Sequence, residues 1–288
     1  MADVHATYVG WDITDAGVAT LYLVMVVGII CALICWWLFG RLWPSAESVS
    51  ASFTLFSLFE ATACGFAGIA HHILATHYWE HEAMSRQWGH AHAGWMVPYA
   101  AAVALRPVAS AACLGTAFSF AECGVGWIRA TKWAGVVVAF VELALARIDV
   151  DRTGTWSLYW GALTAVAGCC VLFSAGLHMP GFVVCGIGYF VRSISYLVVY
   201  ILPKVCGTES VHIVNTNTGT MYQVVPNTAE AWCPKDLHHI AWFHSLIAVS
   251  IPFIFVGVLI KLNSDRQLAY TSMMLPAYQK ATTRWWDS

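Results

Sequence analysis

The sequence predicts an all-α, polytopic transmembrane helix bundle of seven or eight spans, and three observations carry that expectation. The 288 residues are 59% hydrophobic and 10% charged, where an ordinary soluble domain has about 25% charged residues. The apolar residues fall in runs long enough for spans, each needing roughly 20 residues to cross the hydrocarbon core. The runs are continuous rather than alternating, which excludes the strands of a membrane barrel and leaves helices, whose backbone bonds to itself inside lipid.

Eight apolar segments follow in order, at about 17–40, 51–76, 87–105, 107–128, 132–149, 156–176, 181–202 and 238–262. The first is too long for a signal-peptide core and lacks a basic leader, so it reads as a retained span. The third and fourth meet at Arg106-Pro107. Proline restricts the residue before it and ends or kinks a helix, so these two are separate spans or one bent unit. No repeat or linker divides the chain, and 1–288 reads as a single integral membrane domain.

One long polar loop, 203–236, precedes the last segment. Its alternating "HIVNTNTGTMYQVV" around an NTG turn predicts a β-hairpin. Cys206 and Cys233 bracket the loop. A disulfide between them would close it, gain about 3 kcal/mol on the entropic account, and put the loop on an oxidising face. Of the ten cysteines, the eight in apolar segments read as small buried hydrophobes. The tail carries Lys261, Arg266, Lys280 and Arg284, which places the C-terminus on the cytoplasmic or matrix side and the loop opposite. A mitochondrial inner membrane would suit that pattern, as would the secretory pathway. The terminal "RWWDS" has the character of an interfacial anchor.

Charges within a span are expensive and point to function or pairing. Glu60, Glu122, Glu142 and Arg192 fall in the second, fourth, fifth and seventh segments. The economical expectation is an intramembrane ion pair between Arg192 and one of the glutamates.

Six of the twelve histidines crowd into 68–95: His71, His72, His77, His81, His90 and His92. His77 and His81 share a face if helical, and His90 and His92 form an H-x-H. Imidazoles in that density could ligate zinc, yet the interleaved Trp, Glu and Arg suit a polar rim at the headgroup level. His71 and His72 lie deeper and could meet the last segment's His239 and His244. Zinc is the first cofactor such a cluster suggests and haem the second. Bound lipids are expected throughout. No P-loop, dinucleotide fingerprint, H-E-x-x-H, C-x-x-C-H or basic nucleic-acid patch is present.

The last segment, "LHHIAWFHSLIAVSIPF", resembles the final helix of alkaline ceramidases, progestin/adipoQ receptors and related seven-helix lipid hydrolases, the CREST superfamily. The resemblance covers two helices, roughly 50 residues. It implies a zinc-bound water hydrolysing a lipid amide or ester, with His71 or His72 joined by His239 and His244 as ligands. This chain departs from the pattern: His239 and His244 are about 140° apart on a helix rather than on one face. Ala67 or Gly68 stands at the family's serine position, and Glu80 or Glu82 would replace its aspartate.

Three functional readings follow. The favoured one is a non-catalytic accessory or structural subunit of a larger membrane complex, in contact with lipids and other membrane subunits. It rests on the incomplete catalytic sets and on the 15 tryptophans, several at span ends. The alternatives are a zinc-dependent lipid amidase or esterase, and a haem-binding or proton-handling membrane carrier.

Overall fold

A computed structural model describes residues 15–40, 48–85, 96–148, 150–175, 180–205, 210–216, 219–225 and 239–286. Side chains are described within 17–40, 48–72, 97–145, 156–175, 180–199, 201, 241–265 and 267. Among the described residues seven helices run in sequence: α1 Asp15–Phe39, α2 Val49–Ser85, α3 Met96–Phe120, α4 Val125–Ile148, α5 Val150–Ala175, α6 Pro180–Val205 and α7 His239–Trp286. Six of them, all but α4, are long and apolar enough to cross a membrane. Between α6 and α7, β1 Ser210–Thr216 and β2 Gly219–Val225 pair antiparallel with Thr216 opposite Gly219, a two-stranded ribbon where the alternation placed one.

Among the described residues the eight apolar segments become seven helices, six of them span-length against the seven or eight spans expected, and of the two readings of Arg106-Pro107 the single unit holds. Pro107 sits inside α3. Proline removes one helical hydrogen bond, but in a bundle neighbouring helices can re-satisfy the backbone. Trp160 of α5 packs on the same turn, its indole N–H donating to the Pro107 carbonyl at 3.1 Å, while the carbonyl the proline leaves without its helical donor is that of Val103, one turn back. The real break comes later, inside the expected 107–128 span. The Cys123 N–H bonds the Phe118 carbonyl at 2.8 Å, and the Glu122 N–H bonds that of Ser119 at 3.2 Å. Together they close α3 with the two-bond Schellman arrangement. Glu122 takes the left-handed position (φ 57°) where glycine is usual. At the start of α2, the Ser48 hydroxyl caps the helix by accepting from the Ala51 N–H at 3.2 Å.

Packing closes a ring. α1 lies against α2, α2 against α3, α3 against α5, α5 against α6, α6 against α7, and α7 returns to α1. α4 packs outside the ring on α3 and α5. It buries Ile128, Ala139 and Glu142, spaced to share one face. Trp127, Trp133 and Phe140 point outward. A Cβ on Gly135 would meet the Pro107 carbonyl at 3.0 Å, so only glycine allows this approach of α4 to α3. α5 fits α6 by the same means: Gly161 and Gly168, two turns apart, leave room for the rings of Tyr196 and Tyr189. The Tyr189 hydroxyl then donates to the Cys113 carbonyl on α3.

Two faces follow from the alternating helices. The hairpin face holds the starts of α1, α3, α5 and α7 and the β ribbon; the tail face holds their opposite ends. The tail-face half of the ring is aromatic. Phe53 stacks on Phe255 at 5.6 Å, and Phe120 meets Phe182 edge-on at 4.7 Å. All four are buried. The eight cysteines among the described residues are all free thiols; six are buried, as expected of small hydrophobes, while Cys123 is half-buried and Cys170 is exposed. Cys206 and Cys233 lie outside the described residues.

Candidate functional site

The hairpin-face half of the ring is polar inside. α2 brings Glu60 and α6 brings Arg192 to its centre, where the Arg192 Nη2–H donates to Glu60 Oε2 at 2.7 Å. Both are buried, Arg192 to 1% exposure. The guanidinium also stands 5.0 Å from the Phe56 ring centroid, a cation–π contact that covers its apolar face. This is the expected intramembrane pair, with Glu60 as the partner.

The other two glutamates behave differently. Glu122 is not intramembrane: the α3 cap places it at the tail face with its side chain 78% exposed. There it accepts from Lys261 Nζ at 2.9 Å, while Lys261 itself is 7% exposed and also lies 3.3 Å from Asp265. The buried Lys261 Nζ also stands over the Phe120 ring, 5.8 Å from its centroid, a cation–π contact at the edge of the aromatic plug. The hydrogen bond from Lys261, and then its charge, hold the Glu122 carboxyl below its usual range, with burial weakly opposing. Glu142 is buried at 1% exposure on α4, with the Ser157 hydroxyl beside it and Arg106 acting on it electrostatically. Even so, neither carboxyl oxygen meets hydrogen-bonding geometry with a donor.

Beside Glu60, among residues of α2, α3, α5, α6 and α7, lies a cavity of about 20 Å³, room for one water molecule. Its polar lining is Glu60, Arg106, Ser110, Ser157, Tyr196 and His244. His244 Nδ1 and Arg192 Nη1 are buried without a partner among the described residues. A water at this position could serve the His244 nitrogen along with the surrounding hydroxyls.

Of the candidate ligands, His71 on α2 and His244 on α7 are both buried and close enough to interact electrostatically. His72, one residue on, is exposed on the outer surface of α2. His239 begins α7, and His77 and His81 fall on α2, but their side chains are outside the described residues, as are those of Glu80 and Glu82. His90 and His92 lie outside them altogether. Among the described residues, no three His, Cys, Asp or Glu side chains converge to hold a metal ion.

Sequence reasoning found Glu60, Arg192, Glu142, His71 and His244 but missed Arg106, Tyr196, Ser110 and Ser157. Arg106 was hidden by the proline after it: read as a helix boundary, it looked like a loop residue. Within an unbroken α3 it is one more charge inside a span, the same signal that marked Arg192.

The chain matches no protein-family model, no curated protein and no solved structure.

Proposed function

We propose that this protein is a non-catalytic integral membrane bundle that acts as an accessory subunit of a larger membrane assembly, an organellar energy-transducing complex being one setting that suits it and the secretory pathway another. The observation that carries the reading is the size of the cavity that the described residues of α2, α3, α5, α6 and α7 line. At about 20 Å³ it is far below the roughly 300–1,000 Å³ of ordinary small-molecule sites, and no lipid acyl chain or organic substrate fits it. The polar residues around it act instead as internal ties, Glu60–Arg192 above all. The outward aromatic face of α4, with Trp127, Trp133 and Phe140 exposed, suits lipid or a neighbouring membrane helix. In this reading the tail lies on the cytoplasmic or matrix side, and a Cys206–Cys233 disulfide closes the loop on the opposite, oxidising side.

The test is gentle detergent solubilisation, followed by native sizing, identification of co-migrating chains, and metal analysis with an optical spectrum on the same sample. The expected result is a complex with stoichiometric membrane partners and no bound metal or chromophore. A stable monomer without partners overturns the proposal. Stoichiometric zinc lost in His244→Ala would replace it with the lipid-hydrolase reading, and a Soret band with the haem reading.

A further inference from the structure

Glu142 is the buried titratable group that the ion pairs leave out. α4 packs on α3 and α5. From α3 the facing charge is Arg106, and from α5 the facing polar group is Ser157. On α4 itself Lys132 lies ten residues back toward the tail face, about 15 Å along the helix, and Arg147 lies five residues on toward the hairpin face, its side chain outside the described residues. With 1% exposure and neither oxygen in hydrogen-bonding geometry, an ionised carboxylate here would carry a desolvation penalty, offset only by Arg106 across on α3 and the Ser157 hydroxyl beside it. A neutral carboxylic acid avoids most of it.

The position along the helices is lopsided. Glu142 is six residues from the hairpin-face end of α4 at Ile148, about 9 Å, and 17 residues from its start at Val125, about 26 Å. Ser157 is likewise seven residues, about 10 Å, from the hairpin-face start of α5. On the tail-face side, the seam between α4 and α3 is closed by Gly135, packed so tightly on Pro107 and Ala111 that no Cβ fits, and by the buried Ile128 and Ala139.

We propose that Glu142 is a proton-binding site that exchanges with the hairpin face alone, and that its proton controls where Arg106 lies. In the protonated state the carboxylic acid is neutral and the Arg106 guanidinium lines the water-sized cavity. When the O–H bond breaks, the proton passes to water at the hairpin face and both bonding electrons stay on the carboxylate. The carboxylate then attracts Arg106 away from the cavity toward α4. The ligand is a proton, and the device is a one-sided switch rather than a conduction path.

The experiment is infrared difference spectroscopy on the full chain in oriented proteoliposomes, the orientation scored by protease access to the C-terminal tail. At neutral pH the protein should show a protonated-carboxyl C=O stretch. That band should vanish in Glu142→Gln, shift in frequency in Glu142→Asp, and persist in the exposed-site control Glu122→Gln. Raising the pH on the hairpin face should abolish it, and raising the pH on the tail face should not. Glu142→Asp keeps the acid, so the test stands even where Glu142→Gln fails to fold. Absence of the band, insensitivity to both Glu142 substitutions, or titration from the tail face overturns the proposal.

Discussion

Arg192→Met should be among the most damaging single substitutions in this chain. Arg192 is 1% exposed and its Nη2 bonds Glu60 at 2.7 Å, with the Glu60 side chain 10% exposed. Removing the guanidinium leaves the Glu60 carboxylate without its partner in an apolar ring. Breaking a buried pair in this way costs about 3–5 kcal/mol. Glu60→Gln should cost a similar amount by the opposite route, leaving Arg192 as an unmatched buried cation on Phe56. The double variant Glu60→Met/Arg192→Met removes both charges and should cost less than either single change, because buried ion pairs replaced by packed hydrophobes are often neutral or stabilising. The assay is reversible unfolding in mixed micelles with increasing denaturing detergent, followed by circular dichroism, for the wild type, both single variants and the double. The expected coupling energy exceeds about 2 kcal/mol. A single-variant loss below about 1 kcal/mol, or a double-variant loss equal to the sum of the singles, would refute the claim that this pair lies in a low-dielectric interior.

Gly161→Ala and Gly168→Ala should each cost about 1–3 kcal/mol by overpacking Tyr196 and Tyr189. In the same unfolding assay Gly186→Ala, whose added Cβ meets nothing within 4 Å, should be neutral or slightly stabilising. Trp160→Phe removes the donor to the Pro107 carbonyl and should cost about 0.5–1.5 kcal/mol, measured as a lowered unfolding midpoint. Glu122 makes a small acid-side contribution: its folded carboxyl titrates below its unfolded value, so the stabilisation is complete above the unfolded pKa. It is lost as pH falls through the folded one. With that side chain 78% exposed, the effect is at most about 1 kcal/mol. Glu122→Gly should be nearly neutral at pH 7, since it relieves left-handed strain of about 1–2 kcal/mol while Asp265 still holds Lys261. It should flatten the acid limb of the stability–pH curve, and an unchanged limb would count against the Lys261 contact.

The legible part of the site was legible for one reason: a charge in an apolar run stands out against its surroundings. That contrast marked Glu60, Glu142 and Arg192 before any geometry was known. The same rule misplaced Glu122, because α3 ends on a left-handed glutamate rather than a glycine, and a helix cap without glycine leaves little trace in sequence. It also passed over Arg106, because a proline that looks like a stop can be carried through a helix when neighbouring helices pack around that turn. The histidine run offered density without direction. Burial separated His71 from His72, adjacent in sequence but on different sides of α2.

By itself the sequence determined the class of this protein, the approximate extent of its helices, the hairpin before the last helix and the need for an internal counter-charge. Those depend on composition and periodicity, which are local properties of the chain. Only the tertiary structure decided that Glu60 and not Glu122 or Glu142 pairs with Arg192, that α4 lies outside the ring, and that the interior is polar toward one face and aromatic toward the other. Partner choice depends on which helices close the ring and at what depth their side chains meet. That is set by small-residue contacts such as Gly161 with Tyr196 and Gly135 with Pro107, between residues whose separation in sequence carries no record of their contact.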